Sequence, residues 1–404
     1  MGKGRCPPRE DRGPSTKTSA DLAFSEIELE RTTRTTPVLW LFGPPGVGKS
    51  TVGWQIYRRL RSSSRVCAYV DIDQLGMCYP EPSSDPGRYR LKDRNLGAIV
   101  AHFAATGARG VVVSGVVDPV GGTGLTELAN LKVVLCRLRA DPDQLRQRLQ
   151  SRRGSFAGVE DAIAQAVRLD ISRFAEALVD TTDLTVEQTV HAVLRTSAWV
   201  PYPGLPEPVA DLRDRPPSAT GGQVIWLCGP SGVGKSTIGF ALYLRLLRAG
   251  HTVGYIDADQ LGFCGVGPQD HWLKARNLSA VWENYRSTGA ETLVAVGPIH
   301  DAGDAGVYEA VLPQASFNWF RLHSGPSELE RRVQARQQVG SWPQRGDLLR
   351  GAAPDKIQRA VVEAAGQGVE LDRVGVGTRI DTERLSIEAS VSAVLQQAGI
   401  GSEN

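Results

Sequence analysis

Short apolar runs alternate along this chain with longer segments whose apolar positions recur at helical spacing, and the alternation occurs twice. Val38-Leu39-Trp40-Leu41-Phe42 is unbroken apolar sequence, as a strand buried on both faces requires. After a glycine-rich turn, Thr51 to Leu60 carries apolar residues at helical spacing. Val66 to Val70 then predicts a strand ending at Asp71, Leu96 to Thr106 a helix, and Gly110 to Ser114 a second buried strand. Lys132 to Leu138 predicts a further strand, Asp143 to Arg153 an arginine-rich helix, and Leu184 to Leu194 a closing helix. Val224 to Cys228 and Thr237 to Leu247 restart the series. Strand and helix in this order predict an α/β fold, two tandem domains each with a parallel sheet covered by helices on both faces. In such sheets the site lies at the carboxyl ends of the strands.

The second series is an internal repeat of the first. Gly43 pairs with Gly229 and Asp71 with Asp257, both 186 positions apart. Leu91-Lys92-Asp93-Arg94-Asn95-Leu96 pairs with Leu273-Lys274-Ala275-Arg276-Asn277-Leu278 at 182, and Asp180-Thr181 with Asp381-Thr382 at 201. The second copy has therefore lost residues early and gained them late, around Gln337 to Pro354. Residues 1–36 mix charge, Ser, Thr, Pro and Gly without periodicity and predict a mobile tail. The first domain is expected over 37–197 and the second over 223–401, with a proline-rich linker over 198–222. Each half is expected to fold alone, and the duplication permits the two to pack as a pseudo-dimer.

Composition narrows the class. A chain of 404 residues with 41% hydrophobic content suffices for two globular cores. A formal charge of +2 leaves no electrostatic footprint for nucleic acid or an anionic membrane. Six cysteines stand singly, without C-x-x-C, which predicts reduced thiols and a cytoplasmic protein. The six histidines are equally scattered and show no metal-ligand spacing. No apolar run is long enough to span a bilayer.

The turn after each first strand carries the chemistry. Gly43-Pro44-Pro45-Gly46-Val47-Gly48-Lys49-Ser50 and Gly229-Pro230-Ser231-Gly232-Val233-Gly234-Lys235-Ser236 both fit G-x-x-x-x-G-K-[ST]. Between a buried strand and a helix N-terminus, such a loop offers backbone N–H groups and the helix dipole to a nucleotide's phosphates. Gly43, Gly46, Val47, Gly48, Lys49, Ser50 and Thr51 form the first candidate ATP site. Gly229, Gly232, Val233, Gly234, Lys235, Ser236 and Thr237 form the second. Lys49 and Lys235 would reach the β- and γ-phosphates, and the Ser50 and Ser236 hydroxyls would ligate Mg²⁺. The second strand of each half ends in D-x-D, Asp71-Ile72-Asp73 and Asp257-Ala258-Asp259. Alternate strand residues point the same way, so both carboxylates of each pair project together from the strand end. One can hold a Mg²⁺-bound water while the other accepts a proton from an attacking hydroxyl.

Walker loop, helix, strand and D-x-D together resemble the small-molecule branch of P-loop kinases, which includes adenylylsulfate, shikimate and gluconate kinases and chloramphenicol phosphotransferase. The resemblance covers nearly all of both halves. It implies an ATP- and Mg²⁺-dependent kinase acting on a small-molecule acceptor. Asp71 and Asp257 would support the metal, and Asp73 and Asp259 would contact the acceptor hydroxyl. Arg148 and Arg152, and Arg332 and Arg336, stand one helical turn apart, similar to the lid arginines of these kinases. Arg152 and Arg336 are the better placed to neutralise charge on the transferring phosphoryl group. Arg94, Asn95, Arg276 and Asn277 sit where the adenylylsulfate group has an Asn/Arg-rich helix lining the acceptor pocket. Gln74-Leu75-Gly76 departs from that group, where Asn-Val-Arg is usual. Met77 to Tyr89 and Phe263 to Trp272, the segments that differ most between the halves, are expected to form the acceptor pockets. Two other readings stand beside this one: a nucleotide or polynucleotide-end kinase, and a non-catalytic ATP-binding regulatory protein.

Overall fold

A computed structural model of the chain describes residues 35–63, 66–123, 128, 131–151, 158–172, 174–202, 211–265, 270–335 and 353–400. The expected N-terminal tail and most of the late insertion lie outside these residues. The first half runs β1 (Pro37–Phe42), α1 (Lys49–Ser62), β2 (Ala68–Asp71), β3 (Cys78–Tyr79), α2 (Tyr89–Ala105), β4 (Val111–Ser114), β5 (Lys132–Arg139), α3 (Pro142–Gln150), α4 (Val159–Ile171), β6 (Ala177–Asp180) and α5 (Val186–Thr196). The second runs β7 (Gly222–Cys228), α6 (Lys235–Arg248), β8 (Val253–Asp257), α7 (His271–Ser287), β9 (Thr292–Val296), α8 (Ala302–Val311), β10 (Ala315–His323), α9 (Pro326–Ala335), α10 (Pro354–Val374), β11 (Thr378–Asp381) and α11 (Ile387–Gln397).

The first sheet has the order β2-β4-β1-β5-β6, with every pairing parallel. The second repeats it as β8-β9-β7-β10-β11. All residues of β1 are buried, as are Val224 to Cys228 of β7, because helices cover both faces. Apolar runs without alternation are therefore what the position demands. The helix α2 starts at Tyr89, well before the predicted Leu96, and α4 was not legible in the periodicity. Arg137 of β5 explains part of α4's placement: its guanidinium donates to the Leu169 carbonyl and pairs with Asp170 at 2.6 Å.

The halves exchange edge residues. Cys78 and Tyr79 pair antiparallel with Gly254 and Val253, so β3 of the first half becomes the sixth strand of the second sheet. In return Cys264 bridges Ala68, and Tyr69 donates to the Phe263 carbonyl at 2.9 Å. Met77 joins the core of the second half, and the Phe263 ring packs against Trp54 at 4.8 Å and Tyr69 at 6.1 Å in the first. Between these exchanges α2 packs on α7. Thr36 to Asn404 consequently group as one unit. The halves are therefore packed together rather than joined only by the linker. The exchange also removes Met77–Tyr79 and Phe263–Gly265 from the acceptor pockets to which the sequence assigned them. The linker is likewise tied down where described: Tyr202 donates to the Arg109 carbonyl at 2.9 Å, and Ser218 to that of Val311 at 2.8 Å.

Candidate active site

The phosphate loops leave β1 and β7 through glycines that no other residue could replace. At Gly43 φ is 144°, and a Cβ there would stand 2.3 Å from the Leu138 carbonyl oxygen. Gly229 repeats this with φ 142° and a Cβ 2.7 Å from the Leu322 oxygen. Gly48 and Gly234 form the left-handed N-caps of α1 and α6. No side chain caps either helix and no acidic residue sits in either first turn, which suits an anion at the helix N-terminus. Lys49 Nζ donates to the carbonyls of Gly43 and Pro44 at 2.8 and 3.0 Å. Lys235 Nζ makes the same two bonds, to Gly229 and Pro230, at the same distances. Each ammonium is thus held over its loop. Ser50 is buried at the start of α1, and the Ser236 hydroxyl is hydrogen-bonded to the Tyr255 phenol. Val47 and Val233 are buried beneath the loops, while Thr51 and Thr237 are exposed. Loop amides, a lysine, a serine hydroxyl and a neighbouring carboxylate are donors that fit a nucleotide with Mg²⁺.

Each D-x-D closes on itself. The Asp73 amide donates to Asp71 Oδ1 at 3.2 Å and the Asp259 amide to Asp257 Oδ1 at 3.0 Å. Asp71 is half-buried, whereas Asp257 is buried. Burial first, and then the Asp259 carboxylate, push the Asp257 pKa up to about 7. A raised carboxylate favours the protonated form in the fold. Its contribution to stability is present below the unfolded value, and it is lost as pH rises through about 7. A Mg²⁺ ion at Asp257 must displace that proton. The metal concentration needed for half-maximal nucleotide binding by the second half should therefore rise about tenfold for each pH unit below about 7. Titration of a fluorescent nucleotide at several pH values checks this, and Asp257→Asn should flatten the dependence.

The residues two positions on reveal a pair that motif reading missed. Asp73 Oδ1 accepts from Lys92 Nζ at 3.2 Å, and Asp259 Oδ1 from Lys274 Nζ at 2.8 Å. Both lysine side chains are buried, 6% and 4% exposed, while the carboxylates are about half exposed at 47% and 48%. A buried cation thus fixes each carboxylate at the mouth of the site. Lys92 and Lys274 recur in the paired segments, two residues before the Arg-Asn, and that recurrence is their signal in the sequence.

Those following residues lie elsewhere. Asn95 and Asn277 are fully buried, and each donates to the carbonyl that ends the turn after its D-x-D, Leu75 and Leu261, at 2.7 Å. Their remaining bonds cross the interface: Asn284 donates to Asn95 at 2.9 Å, and Asn277 Oδ1 lies 2.8 Å from His102 Nδ1. The His102 pKa is lowered to about 4, chiefly by burial. Arg276 is buried and spends its guanidinium on the carbonyls of Leu212, Arg213, Arg215 and Pro216 in the linker. Arg94 is exposed and borders a shallow cleft between α2 and α7, with Ala280, Glu283 and Asn284. Asn95 and Asn277 thus support the turn after each D-x-D and the seam between the halves, Arg276 ties down the linker, and Arg94 borders the cleft. The arginines of α3 and α9 divide similarly. Arg148 donates to the Thr181 and Thr182 carbonyls at 2.7 and 3.2 Å, and Arg332 to those of Thr382 and Val233, each at 2.9 Å. Arg332 thereby braces its phosphate loop, while Arg148 holds the turn after β6. Arg152 and Arg336 lie outside the described residues.

Fold and site together define a chain of two P-loop α/β halves, similar in its motifs to small-molecule kinases. Two family models match it, one for an AAA domain over residues 40–164 and one for adenylylsulphate kinase over residues 221–297. An adenylyl-sulfate kinase of Paraburkholderia xenovorans (strain LB400) is 37% identical over 84 residues, 20% of this chain and 47% of that protein. A probable adenylyl-sulfate kinase of Archaeoglobus fulgidus is 33% identical over 81 residues, 18% of this chain and 50% of that protein. The chain spans about half the length of the curated relatives it matches. Among solved structures, a sugar kinase from Janibacter sp. HTCC2649 matches 42% of this chain and 97% of its own, at 17% identity and a TM-score of 0.31. No described helix is long and apolar enough to cross a membrane.

Proposed function

We propose that the chain is an ATP-dependent phosphotransferase that moves the γ-phosphate to a hydroxyl of a small polar metabolite. The observation that carries this reading is the recurrence, in both halves, of a lysine-capped phosphate loop beside a D-x-D whose outer carboxylate is held by a buried lysine. The loop amides and Lys49 or Lys235 take up the charge of the phosphates. Ser50 with Asp71, and Ser236 with Asp257, would hold Mg²⁺, which supplies charge neutralisation between the β- and γ-phosphates when bound. Asp73 and Asp259 orient the acceptor hydroxyl and take its proton as the oxygen bonds to phosphorus and the bond to ADP breaks. Lys92 and Lys274 fix the direction of those carboxylates. Such chemistry asks mainly for positioning and charge stabilisation, and the site consists of little else.

Adenylylsulfate, the acceptor suggested by the names of the relatives, is one compound to test. Against it as the sole choice, Gln74-Leu75-Gly76 and Gln260-Leu261-Gly262 follow the D-x-D pairs, with no arginine in either. The acceptor regions also differ between halves: Tyr89 and Asp118 in the first stand where the second has His271 and His300. The test is ADP release by the full chain across a library of hydroxylated metabolites, adenylylsulfate among them. Acceptor-dependent ADP release above the basal rate is expected. If no hydroxyl compound stimulates release while ATP still binds, the transfer reading fails and a non-catalytic nucleotide-binding role takes its place.

A further inference from the structure

The sequence spreads its histidines singly, but the second half brings two of them together with a carboxylate. His271 opens α7, His300 follows β9, and Asp304 lies in the first turn of α8. One ligand atom from each lies within 4.8 Å of the other two. His271 Nε2 stands 3.4 Å, and His300 Nδ1 2.9 Å, from Asp304 Oδ2. We propose that His271, His300 and Asp304 form a binding site for one divalent first-row transition-metal ion, with zinc the best fit.

Three features point to a ligand rather than to a simple ion-pair network. The first is the His271 ring. It is nine-tenths buried, with a side chain 9% exposed, yet among the described residues its Nε2 makes no hydrogen bond, Asp304 Oδ2 standing 3.4 Å away without hydrogen-bond geometry. A buried polar nitrogen without a partner is unfavourable unless something else occupies its lone pair. The second is the other nitrogen of that ring. Its Nδ1 lies 3.2 Å from the hydroxyl of the fully buried Tyr308. Metal-ligating histidines are held in this way, with the second ring nitrogen engaged by an outer partner that fixes the ring's orientation. The third is spacing. Zinc–nitrogen and zinc–oxygen bonds of about 2.0–2.2 Å set tetrahedral ligands roughly 3.3–3.6 Å apart. The two measured separations bracket the lower end of that range, and all three atoms lie within 4.8 Å of one another. Two imidazoles and one carboxylate are borderline donors, suited to zinc and its neighbours and poorly suited to Mg²⁺.

The site belongs to one half only. At the repeat's separation of 182, His271, His300 and Asp304 correspond to Tyr89, Asp118 and Gly122, which offer no such set. It is also distinct from the phosphate loop. Lys274, one helical turn beyond His271, reaches Asp259, so the cluster borders the second half's outer carboxylate. The His300 side chain is 46% exposed and gives an ion access from solvent. The inference requires no phosphoryl transfer and goes beyond that reading.

The test uses the full chain without an affinity tag, stripped with a chelator and free of nucleotide. Co²⁺ alone is titrated in, followed by its visible absorption, and Zn²⁺ is then used to displace it. One Co²⁺ per chain is expected, with displacement by Zn²⁺. His300→Ala, at the solvent edge, and Asp304→Asn should each weaken binding by about tenfold or more. Tyr308→Phe, which removes only the outer hydroxyl, should weaken it by about 10–100-fold. Melting curves of each variant confirm that the fold is intact. Absence of Co²⁺ binding by the wild-type chain would overturn the proposal, as would full stoichiometry and affinity in both His300→Ala and Asp304→Asn. Nucleotide binding plays no part in the readout, so failure here leaves the phosphotransfer reading untouched.

Discussion

Alanine at Lys235 should lower kcat of the second half by roughly 10²-fold or more, and alanine at Lys49 should do the same to the first. Both ammonium groups are fixed between two loop carbonyls, at 2.8 and 3.0 Å. Charge placed before the reaction acts fully on the transition state, where negative charge on the transferring group is spread most widely. Arginine should not rescue either position. A planar fork of donors cannot occupy a place shaped for a point charge above the loop. Steady-state kinetics of the full chain with each single variant and the double variant decide the matter. Loss from one variant alone identifies the catalytic half; no loss from either would refute the phosphotransfer reading. Asparagine at Asp73 or Asp259 tests the other side of the site. It keeps the shape but cannot take a proton, so kcat should fall by about 10²–10⁴ with little change in ATP affinity. The low end is the more reasonable for a loose transition state, which asks little of a base.

Cutting the chain in the linker near Gly204 should leave neither half stable by itself. The second half would lose the strand Cys78–Tyr79 from its sheet edge and Met77 from its core. The first would lose the Phe263 ring from its Trp54, Tyr57 and Tyr69 cluster. Asn95, Asn277 and His102 would also be stripped of buried partners across α2 and α7. Burial of at least one large side chain at about 1.5–3 kcal/mol, with roughly four crossing hydrogen bonds of about 1 kcal/mol each, sums to about 5 kcal/mol or more per half. At about 2–4 °C per kcal/mol for domains of this size, Tm should fall by roughly 10 °C or more. The expected result is aggregation or a low, broad melt for each half, with recovery when the two are mixed. A monomeric half that melts with the full chain would show that the exchanged edges contribute nothing.

Much of the site was legible because its parts are contiguous. A strand, a glycine loop and a helix start occupy neighbouring positions, and their backbone conformations follow from local residue types such as Gly48 and Gly234. The D-x-D was legible as a contiguous motif, but strand alternation does not place its second carboxylate: β2 and β8 end at Asp71 and Asp257, and Asp73 and Asp259 lie in the helical turn beyond. What failed was inference about residues whose partners are distant in sequence. Asn95 and Asn277 look like pocket residues in a segment rich in polar groups. Their buried partners, Asn284 and His102, are nearly two hundred positions away and carry no motif.

The sequence by itself determined the duplication, the alternating strands and helices, and the two phosphate loops with their lysines. Hydrophobic periodicity and glycine placement act within a few residues, and a few residues are enough to read them. The tertiary structure alone decided that β3 serves the other half's sheet, that Lys92 and Lys274 hold the outer carboxylates, and that His271 meets His300 and Asp304. Each of these depends on which buried surfaces two separated segments share. Strand-edge pairing and side-chain burial are settled by the summed packing of both halves, a quantity that no local stretch of the chain contains.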